Sequence, residues 1–538
     1  MVGSNTASVI ARYLARSDSR FVFAYPGDPI IEFMEQATHH DLQVVLARRE
    51  GTAAFMAEAY GMLTGRPGVV LSTLGPGSTA LVNGVAAATL DKAPVVAISG
   101  QVESDREAYF THQVVDHKQV FGPVTKWAGR IEPAAVHVTM RKALRLATAE
   151  RPGAVHLSCT GRAFQATAGD GEVAPPPLDS AAETVALFRA PGESGDLATV
   201  LRAARRPVIL AGTGAVRCAA TAALTSLAEV AGMPVVVAPM AKGVLPEEHP
   251  LFAGVLDMAC NQVVWDFLAE ADLIVAAGFD PVELIKPWSL DVPVVHVDTV
   301  PNIDQIYASR YELVGNVAAG LDWLASEWRG EPRDGLASAQ RQRDRLREGY
   351  YAGRNPDRLN PTDVIDIARA AFPADTIVTT DVGSHKLLVG QGWRTGSPRT
   401  TLMTNGLSAM GFGVPGAIAA KLVAPQRPVL ALVGDGGFAM TVAEIRLAAS
   451  LGLPVTFLVF VDGSLNRIEL KQAVQGYPSV ATRLEDMDLV GMATAMQCDG
   501  VRVSSAAELE KCLSGVAGRS RPLVVEARID PSQYQAQF

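Results

Sequence analysis

"GDGGFAMTVAEIRLAASLGLPVTFLVFVDGS", residues 434–464, sets one aspartate between glycines where an apolar strand ends, and a second where the next apolar strand ends. In open α/β sheets, ligands collect beyond the carboxyl ends of strands. Gly434 and Gly436 permit close backbone approach, so their N–H groups can cradle anionic oxygens. Asp435, between them, can face a phosphate only through a cation. A hard divalent ion, Mg2+ by preference, takes oxygen ligands and would join carboxylate to diphosphate. Asp462 reaches the same sheet edge from VTFLVFVD, and a carbonyl just beyond it would add a third oxygen. Aspartates also open turns and cap helices. Their pairing at adjacent strand ends favours the metal.

Outward from this stretch, short Val-, Ile- and Ala-rich runs alternate with helical patterns, as in parallel sheets covered on both faces. A first block offers strands at 21–25, 44–47, 68–73, 95–99 and 154–158; a second at 207–212, 234–239, 273–278 and 293–298. A third offers 376–381, 429–435, 455–462 and 522–527. A Pro-rich linker is expected over 166–180 and a charged one over about 331–358. The expectation is an α/β chain of three doubly wound parallel-sheet domains, at 1–168, 190–330 and 358–538.

The bulk numbers agree. A chain of 538 residues, 48% hydrophobic and 19% charged, suits a large multidomain enzyme. A net charge of −9 with no long basic run argues against nucleic-acid binding. The opening residues are amphipathic, without the apolar core of a secretion signal, and no apolar run is long enough to cross a bilayer. Five scattered cysteines without CxxC spacing read as reduced thiols, so a cytoplasmic protein is expected.

The GDG followed by a second oxygen ligand one helix and one strand later resembles the metal motif of thiamine-diphosphate (ThDP) enzymes. That family usually carries Asn-Asn at the second ligand; this chain has Val461-Asp462. "VDG" looks like the flavin-independent acetolactate synthases. "ARREGTAAFMAEAYGMLTGRPGVVLSTLGPGSTALVNGVAAATLDKAPVVAISG", "TTDVGSHKLLVGQ" and "TNGLSAMGFGVPGAIAAK" resemble further segments of those enzymes, in the right order. The resemblance covers nearly the whole chain. It names the domains pyrimidine-binding, central and diphosphate-binding.

The resemblance also implies roles. Mg2+ would be held by Asp435, Asp462 and the carbonyl of Ser464. Glu50 would activate the pyrimidine ring, with Pro26 beside it, although Arg49 stands where the family usually has His. Met410 would wedge the coenzyme into its bent form, and the Ser408 carbonyl would accept from its exocyclic amine. Gly383, Ser384, His385, Gly434, Gly436, Gly437 and Asn466 would meet the diphosphate end. The two ends of the coenzyme sit on different subunits in this family, so a homodimer is the minimum and a homotetramer is expected.

For the substrate, "FTHQVVDHKQVFGPVTKW" resembles the loop that sets a glutamine near a 2-oxo acid, giving Gln113 with His112 beside it. "PMAKGVLPEEHPLFAG" resembles the stretch that carries a lysine near the active-site entrance, giving Lys242. "AAGFDPVELIKPW" lacks the Arg-Phe-Asp-Asp pattern of flavin-binding relatives, so no FAD is expected. "GTGAVR" (212–217) reads as a turn opening a structural helix. These features favour decarboxylation of a pyruvate-like 2-oxo acid followed by carboligation. Asp28, in "AYPGDPI", pulls the other way. It stands where simple 2-oxo acid decarboxylases carry a catalytic acid, or it is a turn aspartate. Decarboxylases also place a glutamate six residues after the second ligand; here that position is Ile468, with Glu469 next. Aldehyde release, or an unusual acceptor as in carboxyethylarginine synthases, stays open.

Overall fold

The computed structural model describes residues 4–171, 173–176, 185–190, 196–328 and 330–538. It contains three sheets. The first comprises β1 (Phe21–Tyr25), β2 (Gln43–Leu46), β3 (Gly68–Ser72), β4 (Val95–Gln101), β5 (Trp127–Arg130) and β6 (Ala154–Thr160), in the order β2-β1-β3-β4-β6-β5. The second comprises β7 (Ala186–Arg189), β8 (Pro207–Ala211), β9 (Val235–Val237), β10 (Phe252–Val255), β11 (Leu273–Ala277), β12 (Val294–Asp298) and β13 (Ser309–Val314), ordered β10-β9-β8-β11-β12-β13-β7. The third comprises β14 (Ile377–Thr380), β15 (Thr401–Met403), β16 (Val429–Gly434), β17 (Val455–Val461), β18 (Asp499–Val503) and β19 (Leu523–Arg528), ordered β15-β14-β16-β17-β19-β18. All pairings are parallel except β13 with β7. The α/β expectation therefore holds.

The first and third sheets share one strand order, and it fixes where ligands can sit. In both, the chain reverses direction across the sheet between the first and third strands. In open α/β sheets the ligand crevice lies outside the carboxyl ends of strands at such a reversal, here beyond β1/β3 and beyond β14/β16. The second sheet has its own reversal between β8 and β11.

The chain groups into two compact units. One holds the first sheet together with Gly406–Pro425 and Thr441–Leu453; the other holds the second and third sheets. The first unit's core packs Val22, Leu71, Ile98 and Leu157 of the sheet against Ile10, Phe33 and Leu144 of its helices. In the other unit, one continuous core runs from Ile209 and Ile274 to Leu432 and Leu458.

Several expectations need correction. Residues 335–350, expected inside a linker, form a helix, Gly335–Tyr350. Its buried stripe is Ala339, Gln342, Leu346 and Tyr350, so one member is polar and the rest of the surface is charged. Strands β5, β7, β10, β13, β15 and β18 were not expected. The other expected linker lies partly outside the described residues, as do 1–3 and 191–195 of the expected domains. No helix of the described residues is long and apolar enough to cross a membrane.

Candidate active site

In the first unit, the turns after β1 and β3 meet closely. A Cβ on Gly27 would fall 2.3 Å from Thr73 Oγ1, and one on Gly77 would fall 2.7 Å from Thr73 Cγ2. The same Gly77 position is 3.2 Å from Glu50 Oε1. Glu50 is half-buried and opens the Glu50–Thr64 helix, where the macrodipole favours a carboxylate. Gly75, at φ +54°, backs onto Gln113, itself left-handed at φ +60°. Glu50, the 75–77 turn and Gln113 are thus gathered. Pro26 and Asp28 are exposed on the turn after β1. His112 is exposed and meets Phe110 edge-on; among the described residues it makes no hydrogen bond to Asp28.

One residue of this unit went unread in the sequence. Glu444, 1% exposed, accepts from the Arg48 amide at 2.8 Å and from Thr52 Oγ1 at 2.5 Å, and so straps the turn on either side of Glu50. Burial holds its carboxyl above the usual range. The same unit holds the turn with the expected Ser408 and Met410. Ser408 is exposed and left-handed at φ +53°, Met410 is half-buried, and Gly411 follows at φ +94°. Phe412 then packs edge-on against Phe55.

In the second unit, β16 ends at Gly434 and Asp435 opens the Asp435–Thr441 helix. Asp435 Oδ2 accepts the amides of Asp462, at 3.2 Å, and Gly463, at 2.8 Å. Asp462 Oδ1 accepts the Ser464 amide at 3.0 Å. Desolvation and the neighbouring Asp435 push Asp462 up to about 7; burial also raises Asp435. Two facing carboxylates, both costly to ionise, form a hard-oxygen donor pair whose charge a divalent cation would offset. Among the described residues no three His, Cys, Asp or Glu side chains converge as a metal cage. The donor chemistry fits Mg2+ held by two carboxylates and a carbonyl.

The rest of the crevice is packed without slack. A Cβ on Gly437 would fall 2.3 Å from Asp381 Oδ2, and those on Gly383 and Gly434 would meet the His385 ring at 2.7 and 3.0 Å. His385 lies over Phe460, and burial pushes its pKa down to about 3. Its Nε2 is buried without a partner among the described residues. Ser384 Oγ donates to Asn466 Oδ1 at 2.8 Å, joining two helix starts. The Gly436 amide donates to Asp435 Oδ1 at 2.8 Å, which orients that carboxylate.

The reversal point of the second sheet is closed. A Cβ on Gly214 would lie 2.8 Å from the Gly278 Cα, and Glu283 Oε2 accepts the Thr213 amide at 2.9 Å. The carboxyl group of Glu283, pushed up to about 8 by burial, fills the seat a phosphate takes in dinucleotide folds. Lys242, expected near an entrance, is 1% exposed; its Nζ donates to Glu247 Oε1 at 2.5 Å and to the Gly390 carbonyl at 2.8 Å. Glu469 is also occupied: Ser464 Oγ donates to it at 2.5 Å and Arg483 pairs with it at 2.5 Å.

With this geometry in hand, comparison with known proteins is specific. Family models of thiamine pyrophosphate enzymes match in three places: the N-terminal TPP binding domain at 4–120, the central domain at 195–324 and the C-terminal TPP binding domain at 381–527. The chain is 28% identical to "Acetolactate synthase" of Bacillus subtilis, covering 99% of this chain and 94% of that protein. It is 30% identical to "Acetolactate synthase, catabolic" of Raoultella terrigena, covering 97% and 95%. It is also 30% identical to "Probable 2-ketoarginine decarboxylase AruI" of Pseudomonas aeruginosa, covering 96% and 93%.

Proposed function

The chain belongs to the thiamine pyrophosphate enzymes, in the acetolactate synthase family, and from that premise we propose that it decarboxylates a pyruvate-like 2-oxo acid and joins the resulting two-carbon unit to a carbonyl acceptor. The observation that carries the carboligation reading is the engagement of Glu469. With its carboxylate taken by Ser464 and Arg483, and Ile468 beside it, the Asn466–Val474 helix offers no unengaged acid to protonate the two-carbon unit early.

Bound thiamine diphosphate supplies a carbanion centre that adds to the oxo acid and lets carbon dioxide leave. Asp435, Asp462 and the Ser464 carbonyl hold Mg2+. Gly383, Ser384, His385, Gly434, Gly436, Gly437 and Asn466 line the diphosphate end. Glu50, pressed toward Gly77, keeps a proton at the pyrimidine nitrogen, with Pro26 beside the ring. Met410 and the Ser408 carbonyl fix the bend and the amine. Gln113, with His112 next to it, meets the substrate. The filled seat at Thr213 supports a central domain that takes no FAD.

The working unit is at least a homodimer, and a homotetramer by the family pattern. Tyr25, Ile31 and Leu46, 42%, 60% and 48% exposed around the β1 and β2 ends, offer the apolar surface such a partner would cover. Five scattered cysteines without CxxC spacing support a cytoplasmic protein.

A second reading is a simple decarboxylase that releases an aldehyde. The exposed Asp28 at the β1 turn and the named decarboxylase relative favour it. Product analysis with pyruvate as sole substrate separates the readings. Acetolactate supports carboligation and acetaldehyde alone supports the second reading. No carbon dioxide release would remove pyruvate as donor.

A further inference from the structure

Glu58 lies mid-helix in Glu50–Thr64 with no exposed surface, and no donor of the described residues meets either carboxyl oxygen. The acid it faces is Asp91, 4% exposed, at the C-terminal end of the Val82–Leu90 helix. Burial and the Asp91 charge hold Glu58 well above the usual carboxylic range. Asp91 Oδ1 accepts the Gly406 amide at 2.5 Å. Only glycine fits at that point, because a Cβ on Gly406 would fall 2.8 Å from the Leu90 backbone. Two residues later Ser408 adopts its left-handed conformation, and Gly411 follows in another. A serine held at positive φ persists only where the flanking chain is fixed from outside.

We propose that Glu58 and Asp91 act as one hydrogen-bonded anchor for the Gly406–Met410 turn, and are positioning residues that set the aim of the Ser408 carbonyl and the Met410 side chain. This rests on the reading of those two residues as coenzyme contacts. Glu58 donates to Asp91, Asp91 accepts from Gly406, and the left-handed serine follows from that fixed point. A buried carboxylate lacking its donor would have to move or take a proton, and either change releases the turn.

The test pairs two readouts on the full-length chain. The first is amide hydrogen exchange of the peptide spanning Gly406–Gly411 in coenzyme-free protein. The second is thiamine diphosphate affinity with Mg2+ present, from tryptophan fluorescence. Asp91→Ser, too short to reach Gly406, should speed exchange and weaken coenzyme affinity, each by about tenfold. Glu58→Leu should do the same, while Asp91→Asn and Glu58→Gln, which keep the acceptor and the donor, should stay near wild type. Unchanged exchange in Asp91→Ser overturns the anchor. Should that variant not fold, identical exchange in Glu58→Leu and Glu58→Gln overturns it. Faster exchange with unchanged affinity upholds the anchor and overturns the turn's role as a coenzyme contact.

Discussion

The amide of Asp462 donates to Asp435 Oδ2 at 3.2 Å, which fixes two like-charged carboxyl groups side by side at adjacent strand ends. Asp462 is pushed up to about 7 by desolvation and by Asp435. An unfolded aspartate titrates near 4. The raised folded value means that the group's contribution to stability is fully present below about pH 4 and is lost as pH rises through about 7. Metal-free protein should therefore lose thermal stability from this group as pH rises from about 4 to about 7. Mg2+, which needs the ionised form, should restore it. Mg2+ affinity should be about thirtyfold weaker near pH 5.5 than near pH 8. Asp462→Asn should remove both effects. Calorimetric titration at the two pH values checks this, and equal affinity at both would sink it.

Glu283 gives a second pH dependence with the same sign. Its carboxyl group, pushed up to about 8, accepts the Thr213 amide in the closed crevice of the second sheet. Its stabilising effect holds below about pH 4, the ordinary glutamate range, and fades as pH rises through about 8. Glu283→Gln keeps an acceptor and cannot ionise. It should match wild type near pH 4 and pull ahead progressively as pH rises to about 8, by on the order of a few kcal/mol. Thermal unfolding across that range tests it; parallel curves for the two proteins would contradict the assignment.

Lys242 and Glu247 form a pair with side chains 0% and 2% exposed. Removing one partner leaves a buried charge alone, so Lys242→Met should cost about 3–5 kcal/mol. Lys242→Met combined with Glu247→Leu should recover most of that loss. Because Lys242 lies inside the second unit, the Michaelis constant of the double variant should change little. A double variant as unstable as the single one would show that the pair is not a closed unit.

What the sequence discloses follows burial. β8, β11, β16 and β17 are covered on both faces, so they read as unbroken apolar runs. Most of the strands that escaped reading lie at sheet edges. β5 and β7 are half or fully exposed, and β10 and β15 are buried but only four and three residues long. The Gly335–Tyr350 helix was hidden because Gln342 sits in its buried stripe among charged neighbours. Among the candidate residues, Glu50, Asp435 and Asp462 stand at element ends and are visible locally. Glu444 and Asp91 are not: their partners Arg48 and Gly406 lie 396 and 315 positions away, and no local pattern reports such a contact.

The strap across the start of the Glu50 helix is the most direct link between an unread residue and the proposed chemistry. Glu444 ties Arg48 N and Thr52 Oγ1, two residues before and two after Glu50, to one carboxyl group. Glu50→Gln removes the acid itself and should cut turnover by about 10²–10⁴ while leaving coenzyme binding largely intact. Glu444→Ala keeps the acid but leaves a buried amide and hydroxyl unpaired, at a cost of about 1–3 kcal/mol in stability. If the strap aims Glu50, turnover in that variant should fall by about 10–100-fold at saturating coenzyme, because small misplacements of a reacting group are expensive. Glu444→Gln retains an acceptor oxygen and should recover most of the rate. Carbon dioxide release from pyruvate, measured beside thermal stability, separates the two effects. Full turnover in Glu444→Ala with only the stability lost would leave Glu444 as a packing residue and nothing more.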